Sequence, residues 1–239
     1  MRPLEADLRA GLRTLALDLS AVQVGQLLDY LALIQKWNKV YNLTALRDPT
    51  SMLTHHLLDS LAVVSPLRRV LAGLVRPLVD SHTASFRLLD VGAGAGLPGV
   101  VIAVCCPEVA VTCVDAVAKK AAFVQQAAVT LKLPNLRGLH GRVEAMTPGS
   151  GEGYDIVSSR AFASLAEFTR WSSAALAAHG AWLAMKGKVP DEEIALLPPE
   201  VKVFHVEQLL VPALPAERCI VWMQKTSTPL ENVAPKNLP

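Results

Sequence analysis

The sequence predicts an α/β fold in which a mainly parallel, doubly wound sheet follows a helical extension. From Phe86 onward, short apolar runs of strand length alternate with segments of helical periodicity, a pattern typical of β-α units in a sheet covered on both faces. Before that point, apolar residues recur at helical spacing alone. The last two strand-like runs, 201–211 and 218–225, have no helix between them and therefore predict an antiparallel edge strand.

The N-terminal third of the chain predicts three helices that pack on the sheet domain. Ser20 and Gln23 form a capping-box pattern at the start of the second helix. Asp48 and Pro49 are typical of an N-cap and a first helical position, and Pro66 is expected to break this third helix. The helices are predicted over about 4–17, 20–42 and 48–65, the junction to the sheet domain at 75–84, and the whole extension over 1–84.

The sheet domain is predicted over residues 85–225, followed by a flexible tail, 226–239. The tail carries three prolines and no hydrophobic period, so no element is expected there. Strands are predicted near 86–91, 109–115, 136–140, 154–158, 181–185, 201–211 and 218–225, and helices near 98–106, 117–131, 164–180 and 190–197.

Composition excludes several classes of protein. With 239 residues, 51% apolar and 18% charged, the chain is long enough for one compact domain with an extension. Its apolar runs fall short of the roughly 20 residues that a membrane helix needs, and its charged N-terminus does not resemble a signal peptide. The four cysteines lack the spacing of a metal site, so we expect reduced core cysteines and no metal. We expect a cytoplasmic monomer with no membrane partner.

A glycine-rich turn between the first predicted strand and its helix is the strongest indication of a ligand site. It reads Asp-Val-Gly-Ala-Gly-Ala-Gly-Leu-Pro-Gly over residues 90–99. Gly92, Gly94 and Gly96 leave the backbone open to a close ligand and allow dihedral angles that a Cβ atom disfavours. Pro98 is expected at the first position of the following helix. Such a turn is typical of a cradle for a nucleoside cofactor.

Charged residues follow the carboxyl ends of three further predicted strands. In a doubly wound sheet these ends meet at one edge, where ligands bind. Asp115 ends the second strand and is expected to accept hydrogen bonds from both hydroxyls of a ribose, or else to cap a helix. Glu144 follows the third strand and is expected to accept from an adenine amino group, or to be a solvated loop acid. Arg160 follows the fourth strand.

The residues favour one of two cofactors. Gly94, Gly96 and Gly99 match the dinucleotide fingerprint of NAD-dependent dehydrogenases, which alone is a weak signal. Asp90 would repel a pyrophosphate, whereas it could hold the ammonium group of S-adenosylmethionine through water or backbone. Gly92 widens the turn, and little sequence remains for a nicotinamide half-site. S-adenosylmethionine is therefore favoured, with a dehydrogenase or a non-catalytic module that binds cofactor and RNA as alternatives.

Several motifs together resemble the RsmG family, also called GidB. They occur in the family's order from about residue 12 to 225, and the most specific are Leu97-Pro98-Gly99 and Ser159-Arg160-Ala161-Phe162-Ala163. The others are Asn42-Leu43-Thr44, Asp48-Pro49, His56-Leu57-Leu58-Asp59-Ser60-Leu61, Arg142-Val143-Glu144 and Lys186-Gly187. Ala93 departs from the threonine or serine of many members, so a hydroxyl group near the cofactor is missing.

The resemblance implies a Rossmann-like class I methyltransferase. Family members are bacterial enzymes that methylate N7 of a guanine in 16S ribosomal RNA with S-adenosylmethionine, so 16S rRNA or the 30S subunit is the implied partner. The implied cofactor site is lined by Gly92, Leu97, Val143, Glu144 and Arg160. The motif that amine methyltransferases use after the fourth strand, Asn/Asp-Pro-Pro-Tyr, is replaced here. Guanine N7 has a free lone pair, so we expect catalysis by positioning, with Arg160 as its main residue and no general base.

Two cations are expected to face the substrate, each with a structural alternative. Arg160 must leave guanine N7 open and can hold guanine O6, a phosphate or the cofactor carboxylate. Its alternative role is an ion pair with Asp155 or Glu167. Lys186 follows the fifth strand and is expected to contact a phosphate, or to be a solvated strand end. Asn42 is a further candidate for substrate contact.

Histidines, aromatic residues and basic pairs complete the candidates. His55 and His56 are expected either to help close the site over the target base or to pair locally with Asp59. The net charge of +2 is too small to indicate a nucleic-acid partner, so RNA contacts must come from local clusters. Arg68-Arg69 and Lys119-Lys120 are candidate clusters, with solvated helix faces as the alternative; Phe162, Trp37 and Tyr41 could stack on a flipped base or pack in the core.

Overall fold

The computed structural model describes residues 2–74, 86–146 and 153–226. The junction predicted at 75–84 and the tail beyond Thr226 lie outside these ranges. Within them, a seven-stranded sheet carries an apolar cluster on each face, which confirms the predicted fold class. No helix within these ranges is long and apolar enough to cross a membrane.

Local capping signals set the boundaries of the N-terminal helices. Ser20 accepts from the Gln23 N–H group and donates its own N–H to the Gln23 side chain, so the predicted capping box is confirmed. Asp48 accepts from the Ser51 N–H group at 2.7 Å. The helical stretch predicted to break at Pro66 ends earlier, at Leu61, and Pro66 lies in the first turn of the next helix, where its missing N–H costs no hydrogen bond. The N-terminal helices are α1 (Arg2–Thr14), α2 (Ala21–Tyr41), α3 (Pro49–Met52), a π-helical stretch (Leu53–Leu58), α4 (Asp59–Leu61) and α5 (Val64–Gly73).

The sheet domain follows the alternating pattern that the sequence predicts. Its strands are β1 (Phe86–Val91), β2 (Val109–Asp115), β3 (Leu136–His140), β4 (Tyr154–Arg160), β5 (Leu176–Lys186), β6 (Val201–Gln208) and β7 (Cys219–Lys225). Its helices are α6 (Gly99–Cys105), α7 (Ala118–Thr130), α8 (Leu165–Ser172) and α9 (Asp191–Ala195), with a 3-10 turn over Val143–Ala145.

The strand order across the sheet is β3-β2-β1-β4-β5-β7-β6. The first five strands pair in parallel, and β7 runs antiparallel between β5 and β6. An antiparallel strand is therefore confirmed, although β6, and not the antiparallel strand itself, forms the sheet edge. The chain order reverses between β1 and β4, which makes their carboxyl ends the topological switch point where ligands bind in such sheets.

The structure differs from the prediction most clearly after β4. The helix predicted over 164–180 ends at Ser172, and the rest of this stretch belongs mostly to β5. Its alanine-rich sequence favours a helix by propensity, but its backbone pairs with β4 through a bulge next to the Tyr154–Leu176 pair. A Cβ atom at Gly180 would lie 2.8 Å from the Tyr154 carbonyl oxygen. Pairing with β4 thus overrides local propensity.

The helical extension shares its hydrophobic core with the sheet domain. Helix α2 packs on α6 and α7, and the Gln23 side chain donates to the Val104 carbonyl at 2.8 Å. Tyr30 is fully buried, and its hydroxyl donates to the carbonyl of Ala95 in the glycine-rich turn. The extension therefore supports the turn from behind. All four cysteines are buried and free, as expected of reduced core residues.

Replacing Gly25 of α2 with alanine is expected to stabilise the protein. No atom lies within 4 Å of the position that a Cβ atom would occupy there. Alanine restricts the unfolded chain, so we expect the free energy of unfolding to rise by about 0.5–1 kcal/mol. Urea denaturation measures the change. Gly138→Ala is the control with the opposite sign, because its Cβ would overlap the Ala121 carbonyl oxygen; a stabilised Gly138→Ala with an unchanged Gly25→Ala would contradict this account.

Candidate active site

Two pockets lie side by side at the carboxyl ends of the parallel strands, and Gly92 lines both. The larger cleft, about 550 Å³, lies between the helical extension and the ends of β4 and β5. The smaller pocket, about 210 Å³, lies beyond the ends of β1 and β2. Of the predicted site residues, Gly92, Gly94, Leu97, His56, Arg160 and Lys186 line the cleft, and Gly92, Asp115, Val143, Glu144 and Phe162 line the smaller pocket.

The glycine-rich turn has the backbone conformation that its sequence predicts. Gly92, Gly94 and Gly96 have φ angles of +64°, +59° and +84°, a region that residues with a Cβ atom rarely adopt. A Cβ atom at Gly96 would lie 2.5 Å from Cγ2 of Val100, and one at Gly92 would overlap the Phe162 ring. At Gly94 the same position is uncrowded, with the Gly92 carbonyl oxygen as its nearest neighbour at 4.0 Å. The turn is therefore packed tightly from behind and open toward the cleft.

Asp90 lies behind the turn, and its expected contact with a ligand through water or backbone stays a prediction. Its carboxylate is fully buried, accepts from the Gly99 N–H group at 3.0 Å and from the Ser158 hydroxyl at 2.9 Å, and lines neither pocket. Burial raises the pKa of Asp90 to about 6, although these two hydrogen bonds and the charge of Arg160 oppose the rise. Asp90 joins β1, β4 and the start of α6, and shapes the cradle from within the core.

The raised pKa of Asp90 predicts a pH dependence of stability. Protonated Asp90 favours the folded state, so this contribution is present below pH 3.8 and is lost as the pH rises through about 6. As the pH rises from 4 to 7, we expect the free energy of unfolding of wild type to decrease relative to that of Asp90→Asn. The expected relative decrease is on the order of 3 kcal/mol. Denaturation at pH 4 and pH 7 measures the difference. His56 titrates in both proteins, so its effect cancels; parallel stability curves would contradict the prediction.

The smaller pocket brings together four of the predicted cofactor residues. The Asp115 carboxylate accepts from the Gly94 N–H group at 2.9 Å and from the Val117 N–H group at 2.8 Å, and it lies at the pocket wall. Val143 and Glu144 belong to the 3-10 turn after β3. Asp115 therefore holds the glycine-rich turn and the segment just before α7, whose N-cap is Val117. Its contact with ribose hydroxyls stays a prediction.

Phe162 lines the smaller pocket and does not line the larger cleft. Its ring is 36% exposed and contacts Phe168 and Trp171 edge-on, with ring centroids 6.4 Å and 5.8 Å apart. Trp37 packs between Tyr41 and Phe123, which is the core role expected as its alternative. Tyr41 remains 40% exposed at the end of α2.

An ion-pair network that the sequence did not predict crosses the larger cleft. The Asp59 carboxylate of α4 accepts from Arg160 at 2.8 Å through one oxygen and from Arg218 at 2.8 Å through the other. Arg160 also donates to the His55 carbonyl oxygen at 3.1 Å. The alternative prediction that Arg160 pairs with Asp155 or Glu167 is therefore wrong. Glu167 belongs to the capping box of α8, and Asp155 accepts from the Arg87 N–H group of β1.

Arg218 is a cleft residue that sequence reasoning missed. It precedes β7, and its neighbour Cys219 pairs with Lys186 at the end of β5. An antiparallel strand begins at the edge where parallel strands end, so the first residues of β7 lie beside the site. The signal was available in the predicted topology, because 218–225 was already predicted to be antiparallel.

His56 is neutral and lies in the wall of the cleft. Its Nε2 atom is 2.8 Å from the Thr44 hydroxyl, and its buried Nδ1 atom has no hydrogen-bond partner among the described residues. Burial first, and then the charge of Arg160, lower the pKa of His56 to about 4. Local pairing of His56 with Asp59 is therefore replaced by the Thr44 contact. Asn42 ends α2 and accepts from Arg47 at 2.8 Å; the cleft begins at its neighbour Leu43.

The remaining basic candidates differ in how firmly they are held. Lys186 lines the cleft but pairs with Glu193 at 2.7 Å. In the first predicted RNA-facing cluster, Arg68 donates to the Cys105 carbonyl at 2.7 Å and Arg69 pairs with Glu207. The second cluster lies in the first turn of α7, where Lys119 is exposed and Lys120 half-buried.

Comparison with known proteins agrees with this architecture. Solved structures with the same fold include a SAM-dependent methyltransferase from Aquifex aeolicus, with a TM-score of 0.51 at 14% identity over 76% of this chain and 96% of that chain. Another is TrmN from Thermus thermophilus, with a TM-score of 0.50 at 17% identity over 70% of this chain and 48% of that chain. These likenesses support the fold.

Sequence comparison identifies the family. A protein of Albidiferax ferrireducens named ribosomal RNA small subunit methyltransferase G is 66% identical over 95% of this chain and 100% of that protein. A Polaromonas protein of the same name is 67% identical over 94% of this chain and 95% of that protein. Residues 23–221 match the family GidB, described as rRNA small subunit methyltransferase G. The chain therefore belongs to the GidB family of methyltransferases.

Proposed function

We propose that this protein transfers a methyl group from S-adenosylmethionine to N7 of a guanine in 16S ribosomal RNA. The observation that carries the proposal is the pair of pockets that meet at Gly92. The smaller pocket has a size suited to a nucleoside and contains the acidic residues Asp115 and Glu144. The larger cleft is open and is lined by the cations Arg160, Lys186 and Arg218. Membership of the GidB family and the names of the relatives support the same activity.

The smaller pocket fits the adenosine part of the cofactor. Asp115 keeps lone pairs for ribose hydroxyls beside its two backbone bonds, and Glu144 is available to the adenine amino group. Val143 and Phe162 provide apolar surfaces for the adenine ring. The glycines at 92, 94 and 96 let the remainder of the cofactor pass close to the backbone into the cleft. A residue with a side chain at any of these positions would fill the space or strain the turn.

When bound, the cofactor supplies an electrophilic methyl group on a sulfonium centre. Guanine N7 needs no deprotonation before it attacks, so the protein must align the base and not activate it. The residues of the cleft suit this task. Asp59 holds two arginines with its two carboxylate oxygens, and His56, with a pKa near 4, is a weak base at neutral pH. Arg160 is left to position the base or the cofactor.

The RNA is expected to approach the open side of the cleft. Arg160, Arg218 and Lys186 line that cleft, and the exposed Lys119 is available at the same edge of the sheet for phosphate contacts. Guanine O6 is the base atom that an arginine can hold while N7 stays free. These residues would therefore orient the Hoogsteen edge of the base toward the cofactor.

Transfer of a tritiated methyl group tests the proposal. Purified protein is incubated with labelled S-adenosylmethionine and either 30S subunits or naked 16S rRNA that lacks the modification. We expect label in the RNA, and the better of the two substrates shows whether the assembled subunit is needed. Cofactor binding without transfer would favour a non-catalytic cofactor and RNA module instead. Calorimetric binding of NAD in place of S-adenosylmethionine would favour the dehydrogenase alternative.

A further inference from the structure

Asp59 lies between two arginines that come from distant parts of the chain. Arg160 ends β4, Arg218 precedes β7, and Asp59 belongs to α4 of the helical extension. Each arginine donates to a different oxygen of the same carboxylate, both at 2.8 Å. The Asp59 side chain is 4% exposed, whereas those of Arg160 and Arg218 are 20% and 24% exposed. The acid is thus almost fully buried in the wall of the cleft, beside two cations that are more exposed.

The charges of this network do not balance. One carboxylate faces two guanidinium groups. Among the described residues that line the cleft, no Asp or Glu other than Asp59 is present. Lys186, the third cation of the cleft, is paired with Glu193. The network therefore carries an excess positive charge at a partly desolvated site, where an anion gains more than it would at the surface.

Both arginines keep N–H groups for a ligand. A guanidinium group carries five N–H donors in a planar fork. Arg160 uses its NH1 group toward Asp59 and the His55 carbonyl, and Arg218 uses its Nε and NH1 groups toward Asp59 and the Glu217 carbonyl. The remaining donors belong to side chains that line the cleft. A planar fork of N–H donors suits a carboxylate or phosphate oxyanion, and one carboxylate holds two such groups here.

We infer that Asp59 is a positioning residue that holds Arg160 and Arg218 together as an oxyanion-binding site. The ligand is a carboxylate of the cofactor or a phosphate of the target nucleotide, and the inference rests on the proposed function for both sources. Asp59 touches neither ligand in this account. Through it, the helical extension contributes to the site by fixing two cations that the sheet domain supplies.

Calorimetry and kinetics separate the two sources of the oxyanion. S-adenosylmethionine and its decarboxylated analogue are titrated into wild type and Arg218→Lys, which keeps the charge but loses the fork. If the cofactor carboxylate is the ligand, Arg218→Lys weakens S-adenosylmethionine binding about tenfold and leaves the analogue unaffected. If a phosphate is the ligand, both affinities stay unchanged, and KM for 30S subunits rises about tenfold with little change in kcat.

The role of Asp59 is tested by non-additivity. Asp59→Asn keeps the size of the side chain but removes the charge that holds both arginines. It is expected to reproduce the affinity or KM effect of Arg218→Lys, and the double variant is expected to be little worse than either single variant. A merely structural contribution would lower thermal stability and add to the Arg218→Lys effect.

Arg9→Lys is the matched control, because it changes an arginine that pairs with Glu5 on α1 and does not line the cleft. Normal cofactor affinity and normal KM in both Arg218→Lys and Asp59→Asn would overturn the inference. So would a double variant whose loss equals the sum of the two single losses.

The calorimetric measurement of cofactor binding needs no RNA. A wild-type protein that binds S-adenosylmethionine but fails to methylate rRNA would therefore count against the proposed function while the carboxylate site could still be measured.

Discussion

Replacing Arg160 with alanine is expected to lower kcat/KM for methyl transfer by about 100-fold or more, because a misplaced reacting group costs that much in aligned reactions. Arg160 stands at the carboxyl end of β4, lines the cleft and is held by Asp59 and the His55 carbonyl. Its removal leaves Asp59 paired with Arg218, so the protein should fold. Initial rates with 30S subunits, together with circular dichroism, measure the two effects separately.

Arg170→Ala is the matched control for this prediction. Arg170 is exposed on α8, where its guanidinium lies 5.8 Å from the centre of the Trp171 ring, and it lines neither of the two site pockets. We expect kcat/KM of this variant within about twofold of wild type, as for surface substitutions generally. Equal losses in both variants would show that Arg160 has no special role. Activity retained by a folded Arg160→Ala would contradict the positioning role directly.

Replacing Gly96 with alanine is expected to damage both the fold of the turn and cofactor binding. The residue has a φ angle of +84°, and its Cβ would lie 2.5 Å from Val100 and 3.2 Å from Val124, both fully buried. Overpacking and the unfavourable dihedral angle together are expected to lower the free energy of unfolding by about 2–4 kcal/mol. Because the turn must shift to relieve the overlap, S-adenosylmethionine affinity should fall as well.

Gly94→Ala separates these two effects. Gly94 has a similar φ angle, +59°, and lines the cleft, but its Cβ would meet no atom closer than the Gly92 carbonyl oxygen at 4.0 Å. We expect a stability loss of about 1 kcal/mol, from the dihedral angle alone. Cofactor affinity should fall about tenfold or more if the added methyl group stands where the ligand passes. Thermal denaturation and calorimetry on both variants give the comparison; a Gly94→Ala protein with full affinity would place the cofactor elsewhere.

Signals that act within a few residues of the chain predicted much of this structure. The capping box at Ser20, the N-cap at Asp48 and the glycine-rich turn depend on neighbouring backbone groups, and all three are confirmed. The alternation of strands and helices also placed Asp115 and Arg160 at strand ends, because parallel strands end at a common edge.

The failures share a different cause, which is contact between residues far apart in the chain. The helix predicted over 164–180 yields to pairing between β4 and β5. The buried hydrogen bonds of Asp90 were not predicted, since its partners Gly99 and Ser158 come from another element and another strand. The partner of Arg160 is Asp59, 101 residues away, and no local pattern identifies such a pair.

The sequence predicted most of the residues of the candidate site, but it did not predict how they are arranged in space. Most of the residues expected around the cofactor line two adjoining pockets, but Asp90 and Gly96 line neither, and the division between the pockets was not predicted. Phe162 belongs to the smaller pocket because Gly92 leaves room for its ring, a fit that depends on three-dimensional packing. Arg218 enters the cleft only through the antiparallel insertion of β7.

Mapping the methylated atom in the RNA product tests the central claim most directly. Small-subunit rRNA labelled by the protein is treated with borohydride and aniline, which cleave the chain at 7-methylguanosine, and the labelled nucleoside is identified by chromatography. Methylation of N7 without a general base predicts label in 7-methylguanosine at a single cleavage position. Label in an exocyclic amine or a ribose hydroxyl would contradict the account, because those groups must lose a proton.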